Sequence, residues 1–203
     1  MSPGLKAGVT ITINQSADPQ HPNYEFALNA AGTCCLFVLV DFNVFGDALF
    51  NTIVNSIIAG DITTKDISTY LFPNTYLFEI VNGNFECCVL GFHTYVFDDV
   101  SPKLESRWVI NYSSWITPGL FQGGLSDVTA LSHEISETYN DPFVASDLVH
   151  DITPWWLAPN GNYQDALETG DVIEGLPNQL FPVTINGVTY HPQNEALLSG
   201  SNS

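Results

Sequence analysis

Apolar and polar residues alternate in "GVTITIN" from Gly8, the period of an extended segment. A polar, Pro-containing stretch follows, so residues 1–25 read as an extended N-terminal segment. "TCCLFVLVDF", from Thr33, is nearly all apolar and predicts a buried strand. "GDALFNTIVNSIIAG" places Leu49, Ile53 and Ile57 at helical spacing, with Gly60 as the stop. "TTKDISTYLF" predicts a short second helix ended by Pro73. "TYLFEIVNGNFECCVLGFHTYVF" reads as strand, turn, strand about Asn82-Gly83, and "SRWVINYSSW" as a further strand. A Gly-rich stretch, Gly119 to Gly124, leads to Ser126 and Asp127, good helix-start residues. A helix over about 127–140 then stops before Pro142. Beyond it the chain is irregular until "FPVTINGVTYHP", a hairpin turning at Asn186-Gly187. The pattern fits one domain over residues 1–203, with 143–203 as a loop-rich C-terminal subdomain.

Charge narrows the partners. The chain has a net charge of −18 because 22 acidic residues face only four Lys and Arg. Such a surface repels nucleic acid and anionic membranes and suits a peptide, a sugar or a cation. No apolar run has membrane-spanning length, and "MSPGLKAGVT" lacks the apolar stretch of a signal peptide. That fits an intracellular protein or a mature domain, and two sequons, at Asn14 and Asn111, lean towards secretion. The vicinal pairs Cys34-Cys35 and Cys87-Cys88 offer disulfides between adjacent strands or buried free thiols, but not zinc-finger spacing.

The chemistry concentrates in "ALSHEISETYNDP", residues 130–142. It matches the metalloprotease helix H-E-x-x-H except that Glu137 replaces the second histidine. Residues four apart share a helix face, so His133 and Glu137 can grip one ion. Glu134 beside them is positioned to take a proton from metal-bound water. Val128, Leu131 and Ile135 fall on the other side, which is expected to face the core, and Ala130 leaves room above His133. The bland alternative is a solvated acidic helix face. Against it, the helix carries no Lys or Arg for i,i+4 pairing. A third ligand has to come from downstream, and "ALETGDVIEGLPN" offers Glu168 and Asp171. That stretch also reads as a turn with surface acids.

Taken together, "ALSHEISETYNDPF", "PWW", "LETGDVIEGLPN" and "VTINGVTYHPQNEALLS", in this order, resemble a zincin-like metallopeptidase-related family of fungi and bacteria. Its pattern is S-H-E-x-x-E-x-x-x-D-P, then L-E-x-G-D, then a hairpin ending in Y-H-x-Q-x-E, and "CCVLGFH" is also similar to it. The resemblance covers roughly residues 85–199, although members tend to end in a longer aromatic tail than "SGSNS". It implies an α/β (α+β) fold of zincin type: a mixed twisted sheet, an active-site helix and a loop-rich C-terminal part. It also implies His133 and Glu137 as metal ligands, Glu134 as general base, and Glu168 or Asp171 closing the shell. Asp171 is preferred because Gly170 lets the chain bend with φ > 0, leaving Glu168 to bind or to orient His133. Asp141, about 80° round the helix from His133, is expected to end the helix rather than bind metal. His93, Tyr190 and His191 are candidates to hold an oxyanion, or else a half-buried strand residue and a hairpin end. Trp155 and Trp156 are expected to cover the core.

One histidine and two carboxylates nearly neutralise a divalent ion, so its bound water is a weaker acid than on three-histidine zinc. The expected metal is Zn²⁺, with Mn²⁺ or Ca²⁺ as carboxylate-favoured alternatives. Three functions compete. The first is a metal-dependent peptidase acting on a peptide or protein substrate. The second is a non-catalytic, metal-stabilised secreted binding module. The third, a carbohydrate-directed hydrolase, lacks a pair of carboxylates placed across a glycosidic bond.

Overall fold

The computed structural model describes residues 4, 8–28, 30–32, 35–101, 104–144, 161 and 168–196. In chain order the elements are β1 (Tyr24–Ala27), β2 (Phe37–Asp41), α1 (Phe42–Ala59), β3 (Ile67–Pro73), β4 (Thr75–Val81), β5 (Asn84–Val89), β6 (Gly91–Ser101), β7 (Leu104–Trp115), α2 (Thr129–Asn140), β8 (Val183–Ile185) and β9 (Val188–Tyr190). This is a mixed α/β protein with parallel and antiparallel pairings and two α-helices among the described residues. Two compact units form, Met1–Thr63 with Tyr76–Cys88, and Thr64–Thr75 with Val89–Ser203.

The first unit holds a sheet in the order β1-β2-β4-β5. Residues 8–14 form no strand despite their alternation; the edge beside β2 is taken by β1, which pairs antiparallel with it. β2 is less buried than its apolar run suggests, with Val40 its one buried residue. Helix α1 starts earlier than expected. The Asp41 side chain accepts the Val44 N–H at 3.0 Å, and Gly60, at φ 73°, closes the far end. Phe45, Leu49 and Ile53 form its buried stripe, while Asn43, Asp47, Asn51 and Asn55 recur on the exposed side. Its 18 residues and mean hydropathy of 1.2 are long and apolar enough to cross a membrane by length and composition, a property no segment was expected to have. The asparagine stripe instead gives it one wet face, as in an amphipathic helix. Asn82 and Gly83, both at positive φ, make the expected turn between β4 and β5. In β5, Cys87 and Cys88 are bonded to each other across a cis peptide, and Cys35 is also disulfide-bonded. The expected alternatives, cross-strand bridges or free thiols, therefore do not describe Cys87 and Cys88.

In the second unit the sheet order is β3-β7-β6. The helix expected to end at Pro73 is the strand β3, parallel to β7 with Tyr70 opposite Tyr112. Ser68, Tyr70 and Phe72 turn inward and their neighbours outward, a period of two that the polar start of the segment obscured. β7 is central, so Ile110 to Ser114 are buried without alternation. β6 pairs antiparallel with β7, setting Gly91 opposite Ser113 and His93 opposite Asn111. Helix α2 packs on β6 and β7. The hairpin β8–β9 turns at Asn186 and Gly187, as expected.

Candidate metal site

Helix α2 is buried on the side opposite to expectation. Its buried residues are Thr129, Ala130, Glu134, Glu137 and Thr138, while Val128, Leu131 and Ile135 are only half-buried. The layer between α2 and the sheet is thus polar. Asn111 donates to Thr138 Oγ1 at 3.4 Å, Ser113 donates to Asn111, and Thr138 donates back to the Glu134 carbonyl at 2.6 Å. Placing carboxylates in such a layer requires compensating charge and hydrogen bonds.

His133 and Glu137 meet as their spacing predicts, with His133 Nε2 3.1 Å from Glu137 Oε2. Asp171 Oδ1 comes within 3.1 Å of the same nitrogen. Glu137 itself binds the loop that delivers Asp171, its Oε1 accepting N–H bonds from Gly170 at 2.9 Å and Asp171 at 3.2 Å. Gly170 has φ −81°, so it is not the left-handed bend expected. The reason for glycine is room, since a Cβ there would lie 2.6 Å from His133 Nδ1. His133 Nδ1 is 3.1 Å from Gln193 Oε1, and Gln193 Nε2 donates to the Gly170 carbonyl at 2.9 Å. That second bond fixes the amide orientation, so Nδ1 is the N–H donor and Nε2 faces the carboxylates.

Glu134 lies between two histidines. Its Oε2 is 3.2 Å from His93 Nδ1 and its Oε1 3.9 Å from His133 Nε2. Its place requires Gly91, where a Cβ would fall 2.6 Å from Glu134 Cγ. His93 Nε2 donates to the Asp141 carbonyl at 3.0 Å, and the His93 side chain is only 1% exposed. Both ring nitrogens of His93 are thus engaged, Nδ1 by Glu134 and Nε2 by the Asp141 carbonyl. Asp141 caps α2, its N–H bonded to the Glu137 carbonyl and its Oδ1 accepting the Phe143 N–H. Two ligand sets result: His133, Glu137 and Asp171, and His93, Glu137 and Glu168, with donor atoms in each within 4.8 Å of one another. These His, Glu and Asp groups are positioned to bind a metal ion.

Among the described residues, every cation in the ion pairs of this cluster is a histidine. Burial opposes the charge on His133, but hydrogen bonds to Asp171 and Glu137 outweigh it and raise the imidazole well above its ordinary range. His93 is raised in the same way, burial being overcome by Glu134 and the surrounding carboxylates. Burial lifts the Glu134 carboxyl above its usual value. Glu168 is pushed up to about 8, first by burial and then by Asp171 and Glu137. Asp171 is lowered, since its bond to His133 outweighs burial.

The other expected residues lie elsewhere. His191 bonds through Nδ1 to Asp127 Oδ2 at 2.8 Å, and its N–H to Asp127 Oδ1 at 2.7 Å. Tyr190 meets Trp115 edge-on, with ring centroids 6.4 Å apart. Asn111 is wholly buried in β7, so its sequon is closed to glycosylation in the fold. Trp155 and Trp156 lie outside the described residues. Gln193 and Gly91 were missed as site residues, although Gln193 stands inside the Y-H-x-Q-x-E block. No family model matches the chain, and no curated protein or solved structure gives a match.

Proposed function

We propose that this chain is a metal-dependent hydrolase of zincin-like type that cleaves peptide bonds. One observation carries the reading: His133 Nε2, Glu137 and Asp171 converge, while Gln193 holds the opposite nitrogen of His133. Metal-binding histidines are usually oriented by such a second partner. The donor set fits a divalent ion, and the glycine at 170 keeps the approach to His133 clear. A cation held there, Zn²⁺ or the harder Mn²⁺ or Ca²⁺, supplies Lewis acidity that polarises a carbonyl and acidifies water. Glu134 accepts the proton of the attacking water at its Oε1, and His93 steadies Oε2. The zincin assignment itself rests on the ordered motif blocks, and a peptide or protein is the substrate class in this reading. An extracellular location is part of the reading, supported by the disulfides of Cys35 and of Cys87 with Cys88.

Burial favours a second reading, a metal-stabilised binding module without turnover. The Glu134 and Glu137 side chains are 7% and 2% exposed, against 32% for Asp171. A peptide library, incubated with wild type and with Glu134→Gln in parallel with metal analysis, separates the two. We expect Glu134→Gln to keep its metal and lose about 10²- to 10⁴-fold in turnover. Equal turnover removes Glu134 as the base. A metal-loaded wild type that cleaves nothing leaves the binding module.

A further inference from the structure

The polar layer under α2 contains a second set of donors beside the one just assigned, and the two are built alike. In the first, His133 Nε2 faces Glu137 Oε2 and Asp171 Oδ1, each at 3.1 Å. In the second, His93 Nδ1 is 3.7 Å from the same Glu137 Oε2, and Glu168 completes the group. Donors on one ion at zinc-like bond lengths stand roughly 3.0–3.5 Å apart; the first set has this spacing, and the second is wider, its donors within 4.8 Å of one another. Each histidine is also held from behind. His133 Nδ1 meets the Gln193 amide oxygen and His93 Nε2 the Asp141 carbonyl, so each ring, on giving up its second proton to a cation, turns the freed lone pair into the cluster. Glu134 spans the two, one oxygen toward each ring.

We propose that the site holds two divalent cations: one on His133, Glu137 and Asp171, the other on His93, Glu137 and Glu168, with Glu137 Oε2 shared. The proposal rests on the single-ion reading above and extends it, with His93 Nδ1 passing from support of Glu134 to the second ion. Formal charge supports it. Glu134, Glu137, Glu168 and Asp171 are four carboxyl groups in one cluster, and among the described residues the ion-pair partners of Glu134, Glu137 and Asp171 are histidines. With all four ionised and the imidazoles neutral, one divalent ion balances two of the charges and two ions balance all four. Buried charge of that size is kept only when it is compensated. The donor loops match as well: Glu168 and Asp171 flank Gly170, whose N–H is tied to Glu137, so one short turn supplies a terminal carboxylate to each ion. Paired ions about 3.5–4 Å apart, sharing a carboxylate, are a known arrangement for hydrolysis.

The test is metal stoichiometry on the full chain, stripped with chelator, dialysed against Zn²⁺ and measured by elemental analysis. Wild type is expected to retain two equivalents, and Glu168→Gln, His93→Gln and Asp171→Asn one each. Circular dichroism on each variant checks folding, and the wild-type count decides the matter without them. Mn²⁺ loading gives a second readout: an exchange-coupled paramagnetic resonance spectrum in wild type, and an isolated-ion spectrum in Glu168→Gln. A wild type that saturates at one equivalent overturns the second ion and leaves the single-ion reading standing. Two equivalents without exchange coupling put the second ion elsewhere and also overturn it. No retained metal sinks both.

Discussion

Gln193 Oε1 meets His133 Nδ1 at 3.1 Å, while Gln193 Nε2 donates to the Gly170 carbonyl at 2.9 Å. One amide thus fixes the tautomer of the helix ligand and the turn that brings Asp171 to it. The backbone N–H of Gln193 is held in turn by Ser132 Oγ at 2.9 Å. Replacing Gln193 with Leu keeps much of the volume and frees both contacts. Metal affinity should fall about 10- to 100-fold, the usual effect of losing such a supporting group. Competition with a fluorescent chelator measures it, and an unchanged affinity would show that His133 needs no partner.

Gly170→Ala tests the space beside His133. The backbone at φ −81° suits alanine, so any effect comes from the Cβ placed 2.6 Å from Nδ1. We expect a loss of about 1–3 kcal/mol in urea unfolding, the range for overpacking, together with weaker metal binding. Were the variant as stable as wild type with full metal content, the turn would have to be able to shift.

Metal should stabilise the protein visibly. An ion that binds only the folded chain at 100 times its Kd adds about 2.7 kcal/mol. For a chain of this size that is a rise of about 5–10 °C in Tm. Thermal scans with chelator and with graded Zn²⁺ would show it, and coincident curves would count against any structural ion.

Asp127 sets an acid limit. Burial works against its charge, but hydrogen bonds from the His191 side chain, the His191 N–H and the Val128 N–H hold its carboxyl below its ordinary value of 3.8. Between that depressed value and 3.8 the unfolded chain binds more protons, so stability rises with pH there. The contribution is complete above 3.8 and disappears as pH falls through the folded value. Asp127→Asn should therefore be less stable than wild type at neutral pH, and the gap should close in strong acid. A gap independent of pH would assign the Asp127 effect to shape rather than charge.

The pairing of His133 with Glu137 was legible because a helix imposes four-residue spacing, which made them neighbours before any fold was known. The two Asn-Gly hairpins were legible for a similar local reason. The orientation of α2 was not. Leu131 and Ile135 look like its core face, and only tertiary pairing with His93 and Asn111 explains why Glu134 and Glu137 turn inward instead. Neither could His93 be recognised as a neighbour of Glu134, since the contact joins residues 41 apart in sequence. β3 was lost because Thr63, Thr64 and Asp66 imitate a helix start, whereas its strand state depends on β7, a segment met later in the chain.

The polar layer beneath α2 also bears on the order of assembly. A greasy helix docks by collapse, as soon as it meets its sheet. This one brings carboxylates, which give up their water only when a counter-charge is waiting. A cation bound there would act as a latch: β6 and β7 can pair by their own backbone bonds, and α2 would close over them once the site is filled. Amide hydrogen exchange in α2 should then track the free ion concentration, while exchange in β7 stays slow throughout.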